Sequence, residues 1–392
     1  MGGRPGPSVS PERQRALLER FYAFRRGALP DRAPGSMRNP ASVYTDPARF
    51  ARELRVLFRE RPVPIGLGCE LARPGSYVTA DVGGAPIALV RQPDGSLRGF
   101  VNACRHRGAP VLSGRGDELR SITCPYHAWT YALDGALKAR PLEWGFDDVP
   151  QADCSLHRVA VAEQYGVVFV SLDGGPIDVD ALLAGMETEL AEYGLERYVH
   201  FETRVREWRF NWKLVIDTFT EAYHIPELHR RSIAPDYDFR NSIWDPFGVG
   251  QRTVNFRSTI EKELSEKAES ERRLLPHTTI EYFLVPNVVL THQIDHVELW
   301  RATPISVDRT LVSTSLFAPT PPETESARRH WKKNLDLLLK VTETEDFPLM
   351  AEIHRGLASG AVRELVYGKL EPALVHYHES LNRLLGEDTT RR

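Results

Sequence analysis

The sequence predicts an α+β protein in which an antiparallel β domain precedes a larger domain of helices and antiparallel sheet. Three observations carry that expectation. Between Tyr77 and Leu172 the chain offers the strand-like segments SYVTADV, APIALVRQ, LRGFVNA, SITC, WTYALDG and YGVVFVSL, punctuated by turn signals such as Gly83-Gly84 and Asp94-Gly95. After DGGP, Asp173 to Pro176, helical and strand patterns mix. At 392 residues the chain has room for two or three cores.

Taken in order, residues 1–42 form a basic leader, with eight arginines before Asn39 against Glu12, Glu19 and Asp31. Within it, SPERQRALLERFYAF supplies a capping Ser, a Pro at the next position and apolar Leu17, Leu18, Phe21 and Phe24, which predicts one helix in an otherwise solvated arm. Residues 43–172 form the β domain and 173–392 the mixed domain. Composition is that of an ordinary globular protein, 42% hydrophobic and 26% charged. A net charge of −3 gives no ground for nucleic-acid binding. No apolar run approaches the ~18 residues of a membrane span, and the N-terminus lacks a signal-peptide core. A cytoplasmic protein without a membrane partner is expected.

The β domain carries the first chemical constellation. NACRHRGAPV holds Cys104-x-His106, and CPYHAW holds Cys124-x-x-His127 after a 17-residue gap. Structural zinc prefers paired cysteines and paired histidines. Here each arm offers one of each, which suits a two-iron cluster with both thiolates on one iron and both imidazoles on the other. Gly108, Pro110 and Pro125 favour tight turns beside these residues. Cys69 and Cys154 remain, and read as small buried hydrophobes rather than a disulfide.

The second constellation lies in NWKLVIDTFTEAYHIPELH, Asn211 to His229. Trp212, Ile216, Phe219 and Tyr223 fall on one helical face, and Asp217, Glu221 and His224 on another. His224 and His229 stand five apart, about 140° round a straight helix, so they cannot grip one ion unless Pro226 bends or ends it. Two histidines and a distant carboxylate make the facial triad of non-haem Fe(II) oxygenases. Acidic candidates downstream are Glu343, Glu345 and Asp346 in TETEDFPLM, after the helix-like RRHWKKNLDLLLKV. His292 and His296 in THQIDHVELW sit at even strand spacing on one face and are weaker candidates.

CRHRGA and CPYHAW resemble the Rieske domain of ring-hydroxylating and related mononuclear-iron oxygenases, and EAYHIPELH resembles that family's D/E-x-x-H-x₄-H motif, with Glu221 where Asp is commoner. The resemblance implies a Rieske [2Fe–2S] cluster on Cys104, His106, Cys124 and His127, and mononuclear Fe(II) on His224, His229 and Asp346. In the family the third ligand is usually the second of an acidic pair, which favours Asp346 over Glu345 and leaves Glu343 and Glu345 as a solvated helix end. Glu221 is implied as an electron-transfer bridge between His224 and a cluster histidine of an adjacent chain. Asp217 stands beside it as a supporting carboxylate. The family implies a homotrimer fed by a reductase or ferredoxin with electrons from NAD(P)H, acting with O₂ on a small organic substrate. No flavin or nicotinamide fingerprint is visible in the chain, and the basic leader is an alternative docking element for an acidic donor. IGLGCELARPGSY and VYGKLEP are closest in texture to the branch acting on quaternary ammonium compounds. The expected chemistry is then monooxygenation or oxidative demethylation of such an amine, or hydroxylation of an aromatic ring. The rival is a Rieske electron carrier without oxygenase activity, which has no use for a second metal motif.

Overall fold

The computed structural model describes residues 9–268 and 271–387. The chain divides into two compact units, Leu54–Val179 and a second formed by the segments before Leu54 and after Val179. The sequence places these boundaries at 42/43 and 172/173; the structure places them at 53/54 and 179/180.

In the first unit, seven antiparallel strands run across one sheet in the order Val63–Leu67, Val167–Ser171, Arg158–Gln164, Leu97–Val101, Ala85–Arg91, Tyr77–Val82 and Arg115–Gly116. Every residue of Val167–Ser171 is buried, which explains its unbroken apolar run. A second sheet of three short strands, Ile122–Thr123, Thr130–Tyr131 and Leu137–Ala139, has the second Cys/His loop as the connection between its first two strands. Phe100, Ile122, Trp129 and Tyr131 share a core with Cys104 and Cys124. Cys69 and Cys154 are buried free thiols, and burial pushes the Cys69 thiol far above its usual range.

The second unit begins with helix α1 (Pro11–Arg25), capped by Ser10, whose hydroxyl accepts from the Arg13 N–H at 3.3 Å. The helix lies where the sequence places it, but it is packed on its unit and not part of a solvated arm. Leu17, Leu18 and Phe21 are buried, with the Phe21 ring 4.2 Å from Phe256. Arg13 pairs with Glu189 at 3.3 Å and Arg20 with Asp245 at 2.7 Å. These arginines complement acidic groups of their own unit, so they are not free to dock an electron donor. Further on, Met37–Pro40 pairs antiparallel with Glu364–Tyr367.

The unit's main sheet contains β1 (Val199–Trp208), β2 (Tyr237–Phe247), β3 (Gly250–Arg257), β4 (Thr278–Leu284), β5 (Val288–Gln293), β6 (His296–Ser306) and β7 (Arg309–Ala318). They pair antiparallel in the order β1-β7-β6-β5-β4-β3-β2. Helix α2 (Lys213–Phe219) lies against β5 and β6, with Phe219 5.1 Å from Trp300. It is followed by the short α3 (Ile225–Leu228), then after β7 by α4 (Glu325–Val341), α5 (Phe347–Ala358) and α6 (Pro372–Leu384). At the start of α2, the buried Lys213 meets the buried Glu53 carboxylate at 2.7 Å, and Trp212 donates to the same oxygen at 3.2 Å. Losing either charge would strand the other.

Register places two polar rows on the sheet face toward α2. Directly paired residues share a face, so Thr253, Glu281, Thr291 and Glu298 form one row across β3, β4, β5 and β6. Asn255, Thr279, Gln293 and His296 form the next. Among the described residues no helix is long and apolar enough to cross a membrane.

Candidate functional site

Two structurally matching loops hold the first constellation. In each, the Cys carbonyl accepts from the N–H four residues on: Gly108 to Cys104 at 2.8 Å, and Ala128 to Cys124 at 3.0 Å. In each, the Cys N–H donates to the carbonyl five residues on, Ala109 or Trp129, at 2.8 Å. The residue four after the Cys is left-handed in both, Gly108 at φ 74° and Ala128 at φ 55°. Both cysteines are buried, while His106 is half-buried and His127 exposed. The two rings turn their Nδ1 atoms to within 3.1 Å of one another. Burial, the His127 ring and Arg107 hold His106 below its ordinary pKa. Two buried thiols and two more exposed imidazoles whose Nδ1 atoms share a focus are a donor set that fits a [2Fe–2S] group. Tyr131 lies with its hydroxyl 3.1 Å from Cys104 Sγ, and Trp129 stacks on His106 with 5.0 Å between centroids.

The second constellation depends on a broken helix. The sequence predicts an apolar face running to Tyr223, but α2 ends at Phe219 and Tyr223 is 78% exposed. Glu221 turns the chain: its Oε2 accepts from the N–H of Tyr223 at 2.6 Å and of His224 at 3.0 Å. Pro226 then opens α3. The break brings the His224 and His229 rings to 5.1 Å between centroids. Asp346 arrives from the π-helical turn Thr342–Asp346, between α4 and α5.

Ligand atoms of His224, His229 and Asp346 all lie within 4.8 Å of one another. Asp346 Oδ1 stands 3.1 Å from His229 Nε2 and 3.7 Å from His224 Nε2, yet it is buried without a hydrogen bond. An orphaned carboxylate oxygen facing two imidazoles fits a ferrous ion. The outer ring nitrogens are held by carboxylates, His224 Nδ1 by Glu221 at 2.5 Å and His229 Nδ1 by Glu345 at 2.6 Å, which leaves each Nε2 to face the centre. Glu345 is therefore engaged and not a solvated helix end. Its signal was adjacency to Asp346, since a widened helical turn lets neighbouring residues serve the same histidine. Glu343 pairs with Arg206 at 2.7 Å, away from the histidines.

Asp217 is not brought to this group. Its carboxylate accepts from Tyr44 at 2.5 Å and lies 2.8 Å from His378 Nε2, in a network that continues to Tyr367 and Asn39. His292 and His296 prove to be on different strands across the tight β5–β6 turn; His296 pairs with Gln293 and His292 with Val297, so the two histidines lie on opposite faces of the sheet. His292 is buried, with neither ring nitrogen hydrogen-bonded, and burial lowers its pKa to about 3.

A cavity of about 110 Å³ adjoins the triad and is walled by residues of the polar rows. Glu281 and Glu298 are both in its lining, which among the described residues contains no lysine or arginine. Sequence reasoning missed them; their signal was a lone carboxylate inside otherwise apolar strands, TTIEYFL and HVELW. Burial pushes Glu281 up to about 7; the Thr253 hydroxyl opposes this and the Glu298 charge adds to it.

Two family descriptions match this chain in series: the Rieske [2Fe-2S] domain at residues 61–160, and the ring hydroxylating alpha subunit (catalytic domain) at 195–387. The chain belongs to the Rieske non-haem iron oxygenases. It is 29% identical to the glycine betaine monooxygenase oxygenase subunit of Chromohalobacter salexigens, over 84% of this chain and 81% of the relative. It is 36% identical to the carnitine monooxygenase oxygenase subunit of Escherichia coli K12, over 48% of this chain and 51% of the relative. Its fold matches a quaternary ammonium Rieske monooxygenase structure with a TM-score of 0.76 at 24% identity, covering 88% of this chain and 94% of that one. As a Rieske oxygenase the chain is a terminal oxygenase component, using O₂ and electrons from a separate donor to hydroxylate an organic substrate. The catalytic-domain match answers the electron-carrier alternative, which needs no such domain.

Proposed function

We propose that this Rieske oxygenase hydroxylates a carbon bound to the nitrogen of a small cationic amine. The observation that carries this reading is the acidic lining beside the triad: Glu281 and Glu298, with no lysine or arginine among the described residues that line it. An aromatic hydrocarbon would bury Glu281 without a counter-charge, since only Glu298 is paired, with His296, and an aromatic acid would meet it with like charge. The named relatives support it, since both are oxygenase subunits of amine monooxygenases. A larger cavity of about 720 Å³ shares Glu221, Ala222 and His224 with the first and includes Arg240, which offers a carboxylate-bearing tail a cation.

In this reading Cys104, Cys124, His106 and His127 would hold the cluster, and His224, His229 and Asp346 would hold an iron ion that, in its ferrous state, would supply O₂ activation. Glu221 and Glu345 orient the imidazoles. Asp217 anchors α2 through Tyr44 and His378. The functional assembly is a homotrimer in which Glu221 links His224 to a neighbouring subunit's cluster, supplied in the cytoplasm by an NAD(P)H-dependent reductase. The unit Leu54–Val179 serves as the electron-accepting domain, and the unit formed by the segments before and after it as the catalytic one. One oxygen atom enters a C–H bond next to nitrogen; the other leaves as water with two electrons and two protons. The resulting hydroxymethylammonium loses its hydroxyl proton and splits into tertiary amine and formaldehyde. With a surrogate reductase, trimethylammonium compounds should release formaldehyde, or trimethylamine when the chain carbon is attacked. Turnover of aromatic acids to ring-hydroxylated products, without either amine product, would overturn the reading.

A further inference from the structure

The polar row over β3 to β6 is unequal in how its charges are met. Glu298 Oε1 lies 3.1 Å from His296 Nε2, and His296 also lies 2.9 Å from Asp295, so Glu298 has a cationic partner. Glu281 has none. One of its oxygens accepts from the Thr253 hydroxyl at 2.7 Å and the Asn255 amide at 3.1 Å. Among the described residues it enters no ion pair, although it is 8% exposed. Next to it in the row stands Thr291, 2% exposed, whose hydroxyl has no hydrogen-bond partner among the described residues. Both residues line the cavity that holds His224, His229 and Asp346. A buried carboxylate with neutral donors on one oxygen and an unmatched hydroxyl at its side is incomplete within the protein.

We propose that Glu281 is the residue that selects a cation, receiving the positively charged nitrogen of the substrate against its free oxygen so that a carbon bound to that nitrogen faces the triad. The inference rests on the amine reading above and assigns its specificity to one side chain. Thr253 and Asn255 fix the carboxylate plane from the neighbouring strand, and the sheet register sets Glu281 between Thr253 and Thr291. Glu298, already neutralised by His296, sets the field behind it and does not compete for the cation. Thr291 completes the site by bonding a polar substituent of the substrate or a bridging water.

The test uses anaerobic calorimetry on the iron-loaded holoprotein, with choline and its uncharged isostere 3,3-dimethylbutan-1-ol as probes. Wild-type protein should prefer choline, and Glu281→Gln, which keeps the shape and both neutral hydrogen bonds, should lose about 10- to 100-fold in choline affinity while the isostere changes little. Iron content and the cluster's visible spectrum report that the variant is folded. Thr291→Val serves as a second variant and should retain the charge preference. A wild-type preference for choline that survives intact in Glu281→Gln overturns the role of Glu281 alone. A wild-type protein that binds the two probes equally overturns the amine reading itself.

Discussion

Ala128 holds a left-handed backbone that its counterpart Gly108 adopts without cost, φ 55° against 74°. For a residue with a Cβ that conformation costs about 1 kcal/mol or more. The hydrogen bonds from Ala128 to Cys124 and from Cys124 to Trp129 close the loop and impose it. Ala128 is exposed and glycine would relieve the strain. Ala128→Gly should therefore raise stability by about 0.5–1 kcal/mol, after allowing for the looser unfolded chain. Denaturant midpoints followed by cluster absorbance should shift upward; an unchanged or lower midpoint would show that the loop carries no strain. The same residue scale explains what was readable in the sequence. Cys104, His106, Cys124 and His127 lie in two short loops, so their spacing alone identifies the chemistry. Glu281 and Glu298 come together only through strand register, which no local pattern encodes.

Among the elements, the break between α2 and α3 does most to shape the candidate iron site. Periodicity predicted a helix through Tyr223, because Trp212, Ile216, Phe219 and Tyr223 fit one face. The side chain of Glu221 competes for backbone N–H groups and ends it. Such competition is invisible to an apolar pattern, although Pro226 marked where the bend had to come. The β5–β6 hairpin shows the converse, since the even spacing of His292 and His296 reads as one strand although a turn at Ile294, where φ is 53°, separates them. That hairpin also carries a pH dependence. Burial opposes a charge on His296, but hydrogen bonds to Asp295 and Glu298 outweigh it and raise its pKa to about 9. A raised folded value means stability is fully present below the unfolded value near 6.5 and is lost as pH rises through about 9. The loss is on the order of 2–3 kcal/mol. Stability measured by denaturant between pH 7 and pH 10 should fall, and His296→Gln should flatten that fall. Parallel curves for the two proteins would refute the assignment.

At the scale of the whole chain, the fold class and the order of the two sites were readable, because each site has its own motif and its own strand or helix pattern. The unit boundaries were less so: α1 and the segment to Glu53 are joined in space to a unit that resumes 126 residues later. The two sites draw on separate units, so their metals should be lost independently. Asp346→Ala should abolish turnover and release mononuclear iron while leaving the cluster's visible absorption intact. Glu221→Gln should keep both metals and slow oxidation of a pre-reduced cluster in a single turnover. Bleaching of the cluster in Asp346→Ala, or wild-type oxidation in Glu221→Gln, would sink the respective role.

The split unit also sets a timetable during synthesis. Leu54–Val179 is contiguous and can close as soon as it clears the ribosome. Asn39 and Tyr44 cannot meet Tyr367 and His378 until more than 300 further residues have been added. Between completion of the inserted unit and arrival of His378 lie about 200 residues, roughly 10–40 s at 5–20 residues per second. For that interval the nascent chain presents a finished electron-accepting module between two unfinished halves, with the apolar face of α1 uncovered until Phe256 emerges. Assembly of the cluster can thus precede that of the iron site, and the early segment is the part of the protein most in need of a chaperone.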